Sequence, residues 1–329
     1  MSSAVLLKLL AIFVVVALGF VVGKLGWLGK AEEGHDPART LSSAAYYIFV
    51  PALLFRTTAR IDFRAMPWDT LIAIFVPLVV MLLAVYAWQR RGVSASGLAV
   101  AGPSVRAISA AFGNTVQVGI PMAAALFGEA GLQIHLAIVS LHALTLLTLA
   151  TALVELDLAQ AERRGGTGGR HIASTLLTTA RHTLVHPVVL PVLAGMAWNL
   201  CGLPLPAVAD EILVTLGQAV VPLCLVLIGM SLAYYGVQGA ARPAVLVSAL
   251  KLVVLPALVL AAAHWGFGLT GLPLAVVVML AALPVGSNAL IFAQRYRTLE
   301  AETTAATVFS TLAFVVSAPL WLSVLARLP

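Results

Sequence analysis

Charge is what this chain has least of. Asp, Glu, Lys and Arg make up 10% of its 329 residues, where a soluble domain carries about 25%. One soluble core cannot absorb a chain that is 61% hydrophobic, and no polar stretch is long enough to build a separate soluble domain. Cysteine is scarce too. Cys201 and Cys224 lie in apolar surroundings without zinc or haem spacing and read as small buried hydrophobes. Gly-rich phosphate loops, HExxH pairs and nucleophile elbows are absent, so no enzyme class is supported and no cofactor or metal is expected. No Lys/Arg cluster is interleaved with aromatics, which argues against a nucleic-acid partner. The formal net charge of +6 therefore reads as membrane topology and contact with anionic lipid.

What is present is a succession of apolar stretches, each of the roughly 18 residues or more that can cross a bilayer. Ten spans are expected, at 4–23, 41–58, 69–89, 98–127, 132–156, 184–202, 211–234, 243–265, 273–295 and 303–326. The run from Ala11 to Val22 has no signal-peptide cleavage pattern and is read as the first span, retained. The fold class is thus an all-α polytopic membrane protein. An even span number puts both termini on one side. Thirteen of the nineteen Lys and Arg residues fall in the odd-numbered connections, five fall on the other side, and Lys251 lies inside a span. The positive-inside rule then places both termini outside and the polar 158–183 stretch, with its run Gly165-Gly166-Thr167-Gly168-Gly169, in the cytoplasm as a linker.

The flanking segments, 1–157 and 184–329, look alike. Pro51 in the second span corresponds to Pro222 in the seventh. The fourth span is interrupted at Gly119-Ile120-Pro121, and the ninth at Pro284-Val285-Gly286. Five spans per segment is an odd number, so the two five-helix repeats must be inverted. Interrupted spans at matching positions of inverted repeats point to a transporter binding site. Proline removes a donor and clashes with the preceding turn, and freed carbonyls survive in hydrocarbon only against protein or water.

After each interruption a half-helix starts, at about Pro121 and about Ser287, presenting free N–H groups and a positive dipole end to the midplane. Two such ends suit an anion. Asn114, Gln117, Ser287 and Asn288 add neutral donors; Gly119, Pro121 and Pro284 shape the backbone. These seven are the expected substrate-binding residues. Lys251 lies about nine residues into the eighth span, where it is either a fixed cation of the transport path or a snorkelling side chain. His142 is a proton relay or a packed histidine, and His135 a polar rim residue. Glu155 reads as a solvated helix end and Arg56 as an interfacial anchor. Trp27, Trp68, Trp88, Trp265 and Trp321 read as an aromatic belt.

The stretch Gly113-Asn114-Thr115…Gly119-Ile120-Pro121 resembles the fourth-span signature of the auxin efflux carrier family, which includes plant PIN proteins and bacterial malonate and malate carriers. Ala282-Leu283-Pro284…Asn288-Ala289…Phe292-Ala293…Tyr296 is similar to its ninth-span signature. Pro222…Ile228-Gly229-Met230-Ser231-Leu232 is similar to its seventh, and His186-Pro187 through Pro204-Leu205-Pro206 to its sixth-span entry. The resemblance covers nearly the whole chain. It implies two inverted five-helix repeats with crossing broken helices four and nine, moving against a scaffold. It also implies secondary transport of a small organic anion across a bacterial inner membrane, with Asn114 at the substrate. The expected partners are that anion and the lipid bilayer, with a homodimer as the candidate oligomer. Two other readings stay open: a cation–proton antiporter, which wants buried carboxylates at the crossing, and a non-transporting sensor, which wants an attached signalling domain.

Overall fold

The computed structural model describes residues 3–29, 37–60, 67–91, 99–164, 189–235 and 241–328. The His186-Pro187 motif and most of the 158–183 linker lie outside them. The described chain is helical throughout, apart from turns and two short breaks. Five helices are long and apolar enough to cross a membrane: Trp68–Arg91, Thr115–Leu158, Ala207–Met230, Arg242–Gly266 and Glu300–Leu325. Val14–Leu25, Val189–Leu200 and Gly271–Ala281 are shorter apolar helices.

The second of the five, 44 residues long, would stretch about 66 Å at 1.5 Å per residue, twice the thickness of a hydrocarbon core. It does not run straight. Gly128 adopts φ 66° and ψ −161°, a conformation disfavoured for a side chain with a Cβ, and the helix is broken by a kink there. Residues 120–127 and 129–164 are therefore separate limbs, and the helix continues to Arg164, seven residues into the expected linker.

Prolines inside these helices are accommodated by one recurring device. The π-turns Ala45–Phe49, Thr115–Gly119 and Leu250–Val254 each end two residues before a proline: Pro51, Pro121 and Pro256. The wider turn shifts the ladder by one residue. Val50 N–H reaches the Ala45 carbonyl, Gly119 N–H that of Asn114, and Leu255 N–H that of Leu250. The ring clash with the carbonyl four residues back is relieved. For Pro256 that carbonyl belongs to Leu252, and it accepts the indole N–H of Trp321 at 2.8 Å. Trp321 is thus a backbone cap and not a belt residue. Trp27, Trp68, Trp88 and Trp265 are exposed, as a belt requires.

The helices sort into two groups. In the first, Ser3–Leu25 packs on Val220–Tyr235, and Val50–Ala59 packs on Val189–Leu200 and Ala207–Gln218. The contact between Ser3–Leu25 and Val220–Tyr235 is close because a Cβ on Gly229 would fall 1.9 Å from the Val16 carbonyl; small residues set helix approach in membranes. In the second, Trp68–Arg91 packs on Gly102–Ala111, Ala241–Ala249 on Glu300–Leu325, and Gly271–Ala281 on Ile120–Arg164. Arg56 joins the first group internally: its guanidinium and that of Arg60 pair with Asp210 at 2.8 and 3.0 Å. It is an interhelical tie and not a lone interfacial anchor. Arg106, expected in a connection, lies within Gly102–Ala111 and ties the second group through both oxygens of Glu302. Cys224 is buried as expected, but Cys201 is exposed beyond the end of Val189–Leu200.

Candidate functional site

Two spans lose their helical ladder at the centre of the second group. The first breaks at 112–114 and the second at 282–286. The earlier break lies several residues before Gly119-Ile120-Pro121, where it was expected. The π-turn absorbs Pro121, so the half-helix begins at Thr115 with Asn114 as its cap.

Each broken segment satisfies the other's backbone. Gly113 and Val285 form an antiparallel bridge. Asn114 N–H donates to the Pro284 carbonyl at 2.8 Å, and Gly286 N–H to the Phe112 carbonyl at 2.9 Å. Val285 N–H, which lost its helical partner, donates to Ser310 Oγ at 2.9 Å. The carbonyl that lost it, that of Ala281, accepts Lys251 Nζ at 2.5 Å. Several N–H groups expected to face a ligand are therefore already used, as buried backbone in hydrocarbon demands.

The Asn114 side chain is engaged as well. Its Oδ1 accepts the Gln117 N–H at 3.1 Å, a helix N-cap, and its Nδ2 donates to Gln117 Oε1 at 3.2 Å. Gln117 Nε2 donates to Ser42 Oγ at 3.2 Å, on the helix Pro37–Ala44 that packs on Val220–Tyr235 of the first group. Asn288 is buried beside the second break, Ser287 is half-buried, and Gly119, Pro121 and Pro284 are buried backbone. The structure thus gathers the seven residues around one crossing.

Three basic side chains surround it. Lys251 is 0% exposed; it does not snorkel. Its ammonium lies 3.3 Å from where a Gly113 Cβ would stand, at the carboxyl end of Gly271–Ala281, where a helix dipole favours a cation. No carboxylate pairs with it among the described residues. His135 is buried and not at a rim. Its Nε2–H donates to the Thr115 carbonyl at 2.8 Å. His142 is buried with its ring edge-on to Phe112, centroids 4.5 Å apart. Sequence reasoning placed His135 wrongly because helical spacing reports a shared face and not depth.

Among the described residues, the buried carboxylates Asp157 and Glu302 each stand next to an arginine. Glu302 pairs with Arg106 and Asp157 with Arg90, and Asp157 also accepts the Tyr86 hydroxyl. Glu155, half-buried, accepts the Tyr296 hydroxyl at 3.1 Å rather than capping into solvent. No group of three or more His, Cys, Asp or Glu suited to a metal occurs among the described residues.

A cleft of about 1100 Å³ separates the two helix groups at one end. Leu53, Arg56 and Arg60 face it from one group, with Gly217 and Val221; Ile120, Glu129 and Leu136 face it from the other. Its described walls include Ile120, between Gly119 and Pro121, but none of the seven candidate residues.

The family pattern described as membrane transport protein matches residues 4–322. Among known proteins, an uncharacterized transporter of Methanothermobacter thermautotrophicus is 29% identical over 324 residues, covering 96% of this chain and 97% of that protein. The chain is an all-helical, multi-pass membrane protein with interrupted spans, and a match of this extent assigns it: it belongs to the membrane transport protein family, the auxin efflux carriers, a family of transporters and not of enzymes.

Proposed function

We propose that the protein is a secondary transporter of small organic anions, carboxylates such as malonate or malate, with its site at the crossing of the two broken spans. The observation that carries this reading is the ammonium of Lys251, fully buried against Gly113 with no carboxylate partner among the described residues. A charge at mid-helix depth costs about 2.5–3.5 kcal/mol even on lenient scales. Its one charge-assisted bond to the Ala281 carbonyl returns about 1.5–3 kcal/mol, which leaves a cation in want of an anion. The half-helix starts at Thr115 and Ser287 add positive dipole ends beside it.

In this reading Asn114, Gln117, Ser287 and Asn288 orient the carboxylate, while Gly119, Pro121 and Pro284 shape the backbone around it. Transport alternates access between the cleft and the opposite face as the two helix groups move against each other. The chain forms two inverted five-helix repeats, 1–157 and 184–329, joined on the cytoplasmic side by the 158–183 stretch, whose first seven residues continue the preceding helix, with both termini periplasmic at an inner membrane. A cation–proton antiporter is disfavoured because the buried carboxylates Asp157 and Glu302 stand away from the crossing, beside Arg90 and Arg106. Uptake of labelled malonate and malate into proteoliposomes tests the reading. Saturable uptake, blocked by excess unlabelled dicarboxylate, is expected; uptake no faster than in empty vesicles would overturn it.

A further inference from the structure

The imidazole of His142 has no structural role that its surroundings explain. It is 1% exposed, and neither ring nitrogen has a hydrogen-bond partner among the described residues. An unpaired buried polar group costs about 1–3 kcal/mol, so a Phe or Leu would pack this position at lower cost. The ring instead meets Phe112, a residue of the first break, while the ammonium of Lys251 abuts the next residue, Gly113. Lys251 and His142 thus stand against two adjacent residues of the same break.

Few other ionisable groups face His142. His135 lies about two turns away on its own helix, its ring bonded to the Thr115 carbonyl. Gly102–Ala111 brings only Arg106, paired with Glu302. Thr115–Gly119 and Gly271–Ala281 bring none. Trp68–Arg91 brings Tyr86, bonded to Asp157, and the end charges Asp69, Arg90 and Arg91. From the first group, Val50–Ala59 brings Arg56, paired with Asp210, and Val189–Leu200 brings none. Ser3–Leu25 carries Lys8 and Lys24 toward its two ends, and Val220–Tyr235 carries the buried thiol of Cys224, the hydroxyl of Tyr234, bonded to the Gly29 carbonyl, and Tyr235 at its end.

We infer that His142 carries the coupling proton of transport, protonated while a dicarboxylate occupies the crossing and neutral when the crossing is empty. This deepens the anion reading and rests on it. Two cations set against adjacent residues of a break that holds no carboxylate among the described residues repel each other with little screening, so imidazolium and ammonium do not coexist in an empty, dry crossing. A dicarboxylate brings two negative charges, and Lys251 with a protonated His142 makes the set neutral. One proton leaves water on the entry side as a ring N–H bond forms. When the anion departs on the exit side, repulsion from Lys251 expels that proton to water there and the neutral imidazole is restored.

The test uses the full chain in proteoliposomes with a pH dye inside, malonate as probe, and two readouts: malonate–malonate exchange and net uptake under an imposed inward proton gradient. Wild type should acidify the lumen during uptake, and the gradient should raise net uptake several-fold. His142→Gln and His142→Phe, which keep the ring's space without a base, should bind malonate about tenfold or more weaker because one compensating charge is lost, and the exchange that remains at saturating malonate should show no gradient response. Wild-type uptake without acidification overturns the proposal, as does full gradient stimulation in either variant. Absence of any wild-type exchange overturns the anion reading itself, and the proposal with it.

Discussion

Gly286 donates its backbone N–H to the carbonyl of Phe112 at 2.9 Å, so the interruption of one span is completed by that of another. The contact leaves no room for a methyl group. A Cβ on Gly286 would lie 2.7 Å from the Gly113 carbonyl oxygen and 2.8 Å from Phe112 Cδ1. Gly286→Ala must therefore push the two backbones apart, at an expected cost of about 1–3 kcal/mol. Thermal unfolding of the purified variant should show a lowered midpoint; a midpoint equal to wild type would mean that the breaks do not pack in this way.

Trp321→Phe removes the donor that occupies the Leu252 carbonyl opposite Pro256. An acceptor left bare in an apolar interior costs about 1–3 kcal/mol. Trp265→Phe is the control, since Trp265 is 71% exposed and a surface change stays within about 0.5 kcal/mol. Equal melting of the two variants would contradict the capping role.

Asn114→Ala has two effects to separate. Loss of the cap on Gln117 N–H costs about 0.5–2 kcal/mol of stability. Loss of a donor to a bound carboxylate costs about 1.5–3 kcal/mol of binding, or roughly ten- to hundredfold in affinity. Melting temperature and malonate affinity measured on the same preparation distinguish them. Asn288→Ala should show the same loss of affinity. A stability loss with intact affinity in both variants would reduce the two asparagines to backbone supports.

The second break was legible from Pro284-Val285-Gly286 because a proline flanked by glycine, without a widened turn before it, stops a helix where it stands. The first was misplaced by proximity. Pro121 is the conspicuous residue, yet Thr115–Gly119 absorbs it, and the chain opens at Phe112–Asn114, where only Gly113 hints at it. π-turns carry no composition signal of their own. The burial of Lys251 was left open because snorkelling depends on where the ammonium can reach, and its acceptor, Ala281, is 30 residues away in sequence. The pairing of Arg56 with Asp210 spans 154 residues and was invisible for the same reason. Periodicity and apolar length report local structure; these partners are set by how distant helices meet.

The central claim is that the buried ammonium at the crossing awaits a carboxylate. Its most direct test is the malonate affinity of purified Lys251→Met, compared with wild type by calorimetry with and without sodium. Met keeps the stem's volume and removes the charge. The account predicts at least about a tenfold loss, equivalent to 1.4 kcal/mol, or binding that newly requires sodium to replace the missing cation. Unchanged affinity with no sodium dependence would contradict it.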